Sequence, residues 1–289
     1  MKTATGNFPL GWRRRNFGWE QDLDGMIAWA QENALEVIDL GTDSDTTAKL
    51  VIDAGLRVGT ADLTVWGEMM SPDAGKRRAA VAKNADYIRT CAAVGVQTFF
   101  ICMIPEDPSR ERAENFGYMV ESYGELRSTF EENDAYLVIE GWPGPGSLVC
   151  TPETYRAFIE QVGSANMGVN YDPSHLVRMG IDPIRFLKEF VEHVFHVHGK
   201  DCMIIDENLY QYGNLQPATF APAYKYGGMN WRYTIPGHGI SDWKIILSIL
   251  RDNHYAGCIS IELEDHYYDD TEYEQKQGVL QGVRFLAGS

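Results

Sequence analysis

The chain has 289 residues, 44% of them hydrophobic and 23% charged, the balance of a soluble globular protein with a large core. Its 25 basic against 41 acidic side chains give a formal charge of −16, which argues against an extended phosphate-tracking surface and so against nucleic acid as the main partner. No apolar run approaches the roughly 20 residues that cross a bilayer, and the start Met1-Lys2-Thr3-Ala4-Thr5-Gly6 lacks the apolar core of a secretory signal. Five dispersed cysteines form no Cys-x-x-Cys pair, as expected of reduced thiols in a cytoplasmic protein with no membrane partner.

The segment Gly6 to Trp12 is expected as a first strand, followed by a helix from Leu23 to Asn33. Leu35 to Leu40 reads as a second strand, Thr46 to Ala54 as a short helix stopped by Gly55, and Arg57 to Leu63 as a third strand. Pro72 to Val94 has the marks of a long helix, with Pro near its first turn and Gly95 past its end. Thr98 to Ile104 is continuously apolar, the pattern of a strand covered on both faces in a parallel sheet, and Pro105 ends it.

A helix over Glu111 to Asn133 leads to a fifth strand, Ala135 to Glu140, which delivers Glu140 into the loop Gly141-Trp142-Pro143-Gly144-Pro145-Gly146. After a helix from Pro152 to Val162, Met167 to Asn170 forms a sixth strand ending in a turn that carries Asp172 and His175. A carboxylate and an imidazole there suit a divalent metal or proton transfer, but Asp and Ser before a helix also serve as N-caps. A helix from Pro183 to Glu192 precedes the seventh strand, Val194 to Gly199, followed by Lys200 and Asp201. Residues 202–239 break the alternation, which resumes with a helix from Ser241, an eighth strand from Gly257 to Glu262 and a last helix over Thr271 to Leu286.

Eight strands alternating with helices at about 35-residue spacing specify an α/β fold, a single (β/α)8 TIM barrel over residues 1–289 with a long insertion after strand seven. The insertion, 202–239, is expected as a lid over the C-terminal face. An open doubly wound sheet fits less well, because no Gly-x-Gly-x-x-Gly turn follows an early strand.

In such a barrel all strand C-termini open on one face. Glu140, Asp172, His198 and Glu262 end four successive strands, and three carboxylates with one imidazole supply an oxygen-rich set for Mn²⁺, Mg²⁺, Co²⁺ or Zn²⁺. Singly, each has a plain structural alternative: an ion pair for Glu140, a core histidine at His198, a Lys200 partner at Glu262. Together they are harder to explain without a cation, since carboxylates at one mouth repel one another.

Ile139-Glu140, Asp172-Pro-Ser-His175, His196-Val-His198-Gly-Lys-Asp201, Pro236-Gly-His-Gly-Ile-Ser-Asp-Trp243 and Ser260-Ile-Glu262 resemble the xylose-isomerase-like TIM-barrel superfamily of sugar (phosphate) isomerases and epimerases. The resemblance spans nearly the whole chain. From the ketose 3-epimerase branch it implies one divalent metal, Mn²⁺ foremost, on Glu140, Asp172, His198 and Glu262. It further implies Glu140 and Glu262 as the proton-exchanging pair, and His175 against substrate.

Lys200, Trp142, Arg232 and His238 are candidate sugar contacts, and His196, on the other side of its strand from His198, is a structural histidine. The chemistry implied is removal of a proton beside a keto-sugar carbonyl through an enediolate, giving isomerisation or epimerisation. The loop after Glu140 departs from the epimerase pattern, and β-elimination from a 3-keto-glycoside is the alternative outcome. An endonuclease IV-like phosphodiesterase and a non-catalytic sugar-binding module are further alternatives. The expected partner is a small sugar, with a homo-oligomer as a further expectation.

Overall fold

A computed structural model describes residues 1–289. Its first half runs β1 (Leu10–Arg13), α1 (Leu23–Glu32), β2 (Val37–Asp39), α2 (Asp45–Asp53), β3 (Arg57–Val58), β4 (Ala61–Asp62), α3 (Ala74–Ala93), β5 (Thr98–Ile101), α4 (Arg112–Glu132) and β6 (Tyr136–Glu140). Then follow α5 (Pro152–Val162), β7 (Met167–Tyr171), α6 (Pro173–Arg178), α7 (Pro183–Phe190), β8 (Val194–Gly199), β9 (Asp201–Ile204), α8 (Asp206–Tyr212), β10 (Trp231–Thr234), α9 (Trp243–Asp252), β11 (Ile259–Ile261) and α10 (Glu272–Ala287).

One sheet holds nine of these strands in the order β3-β2-β1-β11-β8-β7-β6-β5-β4. The neighbours β1/β11, β11/β8, β7/β6, β6/β5 and β5/β4 are parallel. Only Gly59 and Thr60 separate β3 from β4. Across that break Gly59 N–H donates to the Ile38 carbonyl at 3.0 Å, and Leu63 N–H donates to the Phe100 carbonyl at 3.0 Å. The stretch from Arg57 to Asp62 is therefore one strand in two halves, paired with β2 on one side and β5 on the other, and it turns the linear order into an eight-stranded barrel.

By its contacts the chain divides into two compact units, Ile38–Tyr171 with Glu192–His196, and Met1–Val37 with Asp172–Val191 and Val197–Ser289. In the first, β5 and β7 are buried throughout and β6 from Leu137 onward, the condition of parallel strands covered on both faces. Phe100, Cys102 and Val138 form a cluster there, with Trp66, Ile104, Trp142 and Phe195 packed on it. Asp73 caps α3, and a Thr151 capping box with left-handed Gly163 bounds α5.

Gly168 in β7 shows how tightly this unit is closed: a Cβ built there would lie 2.1 Å from the His193 carbonyl oxygen. That oxygen belongs to backbone and cannot swing away. Gly168→Ala is expected to destabilise the fold by about 1–3 kcal/mol or more, the usual range for overpacking; a urea midpoint equal to wild type would contradict this.

In the second unit, Val177, Cys202 and Tyr233 form a cluster joined by Ile204, Tyr226 and Trp231. Burial pushes the Cys202 thiol up to about 12, so it is an inert packing group. Residues 202–239 are not the bare loop that their composition suggests. They begin inside β9, which pairs antiparallel with β10 from Asp201↔Thr234 to Ile204↔Trp231, and α8 lies between. Asp201 anchors this ribbon by accepting from the backbone N–H groups of Cys202, Gly237 and Ser241 and from the Trp243 indole. Burial nevertheless raises its pKa above the ordinary carboxylate value.

Several element boundaries differ from expectation, three of them as follows. The first strand begins at Leu10 rather than Gly6, the third is split at Gly59, and the turn after β7 is a six-residue helix, α6. No helix is long and apolar enough to cross a membrane.

Candidate active site

Asp172 ends β7 and opens α6, and it does two things at once. Its Oδ1 accepts from the Ser174 backbone N–H at 2.8 Å, the N-cap bond. Its Oδ2 lies 3.1 Å from Lys200 Nζ and 3.4 Å from His175 Nε2. The capping and ligand readings of this residue are therefore compatible, one oxygen to each.

Lys200, just beyond β8, is 1% exposed. Its ammonium meets Asp172, makes a very short contact with Glu262, and lies 3.1 Å from Glu264. It stands 3.3 Å from His175 Nε2 and 4.6 Å from the centre of the Tyr233 ring. Three carboxylates around one buried ammonium form an ion cluster rather than a surface pair.

Glu262 follows β11. Besides Lys200 it has Arg13 Nε at 3.4 Å and His198 Nδ1 at 3.6 Å. Arg15 extends the network, with Nη2 3.4 Å from Glu264 and Nη1 donating to the Leu263 carbonyl at 2.5 Å. The basic run Arg13 to Arg15 thus sends two of its members to the carboxylates after β11.

Glu140 ends β6 and is buried, and its Oε2 accepts from the Asn170 side-chain amide at 2.8 Å. Asp172, His198 and Glu262 each offer one ligand atom, and these atoms all lie within 4.8 Å of one another. Asp172 Oδ2 is buried and accepts no hydrogen bond of good geometry. Two carboxylate oxygens, one of them so placed, and an imidazole nitrogen fit a hard or borderline divalent cation.

The other residues singled out in the sequence have the following partners. His196 pairs with Asp39 at 2.9 Å. Arg232 is buried in an ion pair with Asp265 at 3.1 Å and lies over the Tyr267 ring, while Asp265 also accepts from the Ile235 N–H. Trp142 packs on the Phe100 cluster. His238 is exposed, its ring 6.3 Å from that of Tyr268.

Reasoning from strand ends did not single out Glu264, Arg13, Asn170, Tyr233 or Arg178. Glu264 and Arg13 carried a usable signal, since they stand just after or at the ends of β11 and β1. Tyr233 carried none, because its hydroxyl reaches His175 through the β9–β10 pairing.

Over 119 residues the chain is 33% identical to inosose dehydratase of Clostridium tetani (strain Massachusetts / E88), a match covering 41% of this chain and 38% of that protein. The chain thus matches well under half the length of that relative. Its fold is shared by 3-keto-D-glucoside 4-epimerase, YcjR, from E. coli, with a TM-score of 0.68 at 14% identity over 96% of this chain and 98% of that one. It is shared equally by the IolI protein with a bound zinc atom, with a TM-score of 0.68 at 18% identity over 96% and 98% of the two chains. The family model described as xylose isomerase-like TIM barrel matches residues 18–288, and the chain belongs to that family.

Proposed function

We propose that this protein is a divalent-metal-dependent enzyme that removes the proton beside the carbonyl of a keto-sugar or related keto-polyol, with isomerisation or epimerisation as the outcome. One observation carries the reading: Asp172, His198 and Glu262 bring ligand atoms within 4.8 Å of one another at the ends of parallel strands. These three residues, with Glu140 as the fourth ligand of the proposal, would hold the ion, Mn²⁺ foremost. When bound, such an ion acts as a Lewis acid that polarises carbonyl and hydroxyl oxygens.

The residues of the chain divide the rest of the work. Glu140, steadied by the Asn170 amide, accepts the carbon-bound proton, and Glu262 returns one. His175 and Lys200 hold the substrate oxygens, Lys200 adding positive charge where negative charge develops. The β9–β10 ribbon walls the substrate from water through Tyr233 and Trp231.

A second reading, β-elimination, draws on Lys200 and His175, which put two nitrogens that can carry protons 3.3 Å apart beside the carboxylates. In that outcome the C–H electron pair becomes the new double bond as the C–O bond to the leaving group breaks. The proton needed by the departing oxygen comes from this pair. The similarity to inosose dehydratase agrees with this reading.

Incubation in deuterated water with Mn²⁺ and a panel of free ketoses, keto-polyols and 3-keto-glycosides tests the proposal. Deuterium is expected at the carbon beside the carbonyl, in an interconverted sugar for the first reading and with release of water or an aglycone for the second. Full metal occupancy with no exchange into any member of the panel would count against both.

A further inference from the structure

We propose that Tyr233, contributed by β10, is a positioning residue that fixes His175 as its Nε2–H tautomer, so that the imidazole presents a hydrogen-bond donor toward the site. This rests on the reading of Asp172, His175 and Lys200 as substrate-facing, and assigns a role to residues 202–239 that the strand-end pattern does not contain.

The argument is a count of donors and acceptors. Tyr233 Oη lies 2.6 Å from His175 Nδ1 and 2.8 Å from Arg178 Nη1. A guanidinium only donates, so the phenol oxygen accepts from Arg178 and its own proton needs an acceptor. His175 Nδ1 is the one acceptor within reach. The reverse arrangement, with Nδ1–H donating to the phenol, would strand the phenol proton in a residue only 3% exposed.

With Nδ1 accepting, the neutral ring carries its proton on Nε2. That nitrogen faces Asp172 Oδ2 at 3.4 Å, a buried acceptor otherwise lacking a well-formed hydrogen bond. Lys200, 3.3 Å from the same nitrogen, hydrogen-bonds Glu262 and Glu264 and lies closer, at 3.1 Å, to the Asp172 carboxylate, so its remaining proton has an anionic alternative to the imidazole. Burial raises the Tyr233 pKa above its ordinary value, so the phenol keeps the proton it donates.

Arg178 lies 4.2 Å over the Trp231 ring, so both its charge and its plane are held by the strand that carries Tyr233. The edge-on packing of the His175 and Tyr233 rings, 5.2 Å between centres at 80°, fixes the angle of the imidazole as well as its proton. A donor at Nε2 selects an acceptor, either a carbonyl or the oxyanion derived from it.

The tautomer is read directly from a long-range proton–nitrogen correlation spectrum of metal-free protein labelled in histidine, with the His175 signals identified by their loss in His175→Ala. The Nε2–H pattern is expected in the wild type and its loss in Tyr233→Phe. An Nδ1–H pattern in the wild type, or an unchanged pattern in Tyr233→Phe, overturns the proposal. The wild-type spectrum decides even if the variant fails to fold.

Kinetically, Tyr233→Phe should lower kcat by about 10- to 100-fold, the usual effect of removing a partner that orients a site histidine, with KM and metal content little changed. Equal kcat would overturn the positioning role. Should no keto-sugar prove to be a substrate, the proposed function fails while the spectrum still decides the tautomer.

Discussion

Turnover by the Glu140→Gln variant is expected to fall about 10²- to 10⁴-fold, the contribution typical of a positioned general base. Gln keeps the shape of the side chain and can still pair with the Asn170 amide that holds Glu140 Oε2, so packing around β6 should survive. What disappears is the capacity to take a proton and one anionic ligand oxygen. The two losses separate experimentally. Metal analysis of the purified variant reports the ligand, and solvent-deuterium exchange at saturating metal reports the base. A variant with full metal content and undiminished exchange would remove Glu140 from the chemistry.

The second large effect is on stability. Lys200 is the shared counter-ion of Asp172, Glu262 and Glu264, and it is buried. Lys200→Met fills nearly the same volume but leaves three carboxylates facing one another. Breaking a buried ion pair from one side costs about 3–5 kcal/mol, and that loss is expected in urea unfolding of chelator-treated protein. Added Mn²⁺ should restore part of it, because a cation on Asp172 and Glu262 relieves the same repulsion. A variant as stable as wild type without metal would mean that the three carboxylates are neutralised by another route.

The barrel was legible in the sequence because parallel strands buried on both faces leave continuous apolar runs, and Thr98 to Ile101 and Leu137 to Ile139 are such runs. The strand-end rule picks out Glu140, Asp172, His198 and Glu262 as candidates for an equally simple reason: in a parallel barrel, position along the strand predicts position in space. It is silent about residues that arrive by another route.

Tyr233 reaches His175 only because β10 folds back antiparallel on β9, and the register that places it there depends on pairing from Asp201 to Ile204, which local composition does not encode. Arg13 escapes the strand-end rule for the opposite reason. A run of three arginines invites treatment as a unit, yet only alternate members point inward from the end of a strand. Gly59 and Thr60 hid the split in the third strand, since both halves share one apolar pattern.

The two-way use of Asp172 has a consequence for how the site is assembled. A carboxylate on a free side chain must give up rotational freedom when it takes a ligand, and four such ligands would give it up four times over. At Asp172 the cap to Ser174 has already removed that freedom as part of folding the helix after β7. Its second oxygen is aimed by the backbone, not by a rotamer search, so the entropy of organising this ligand is charged to the fold and not to binding.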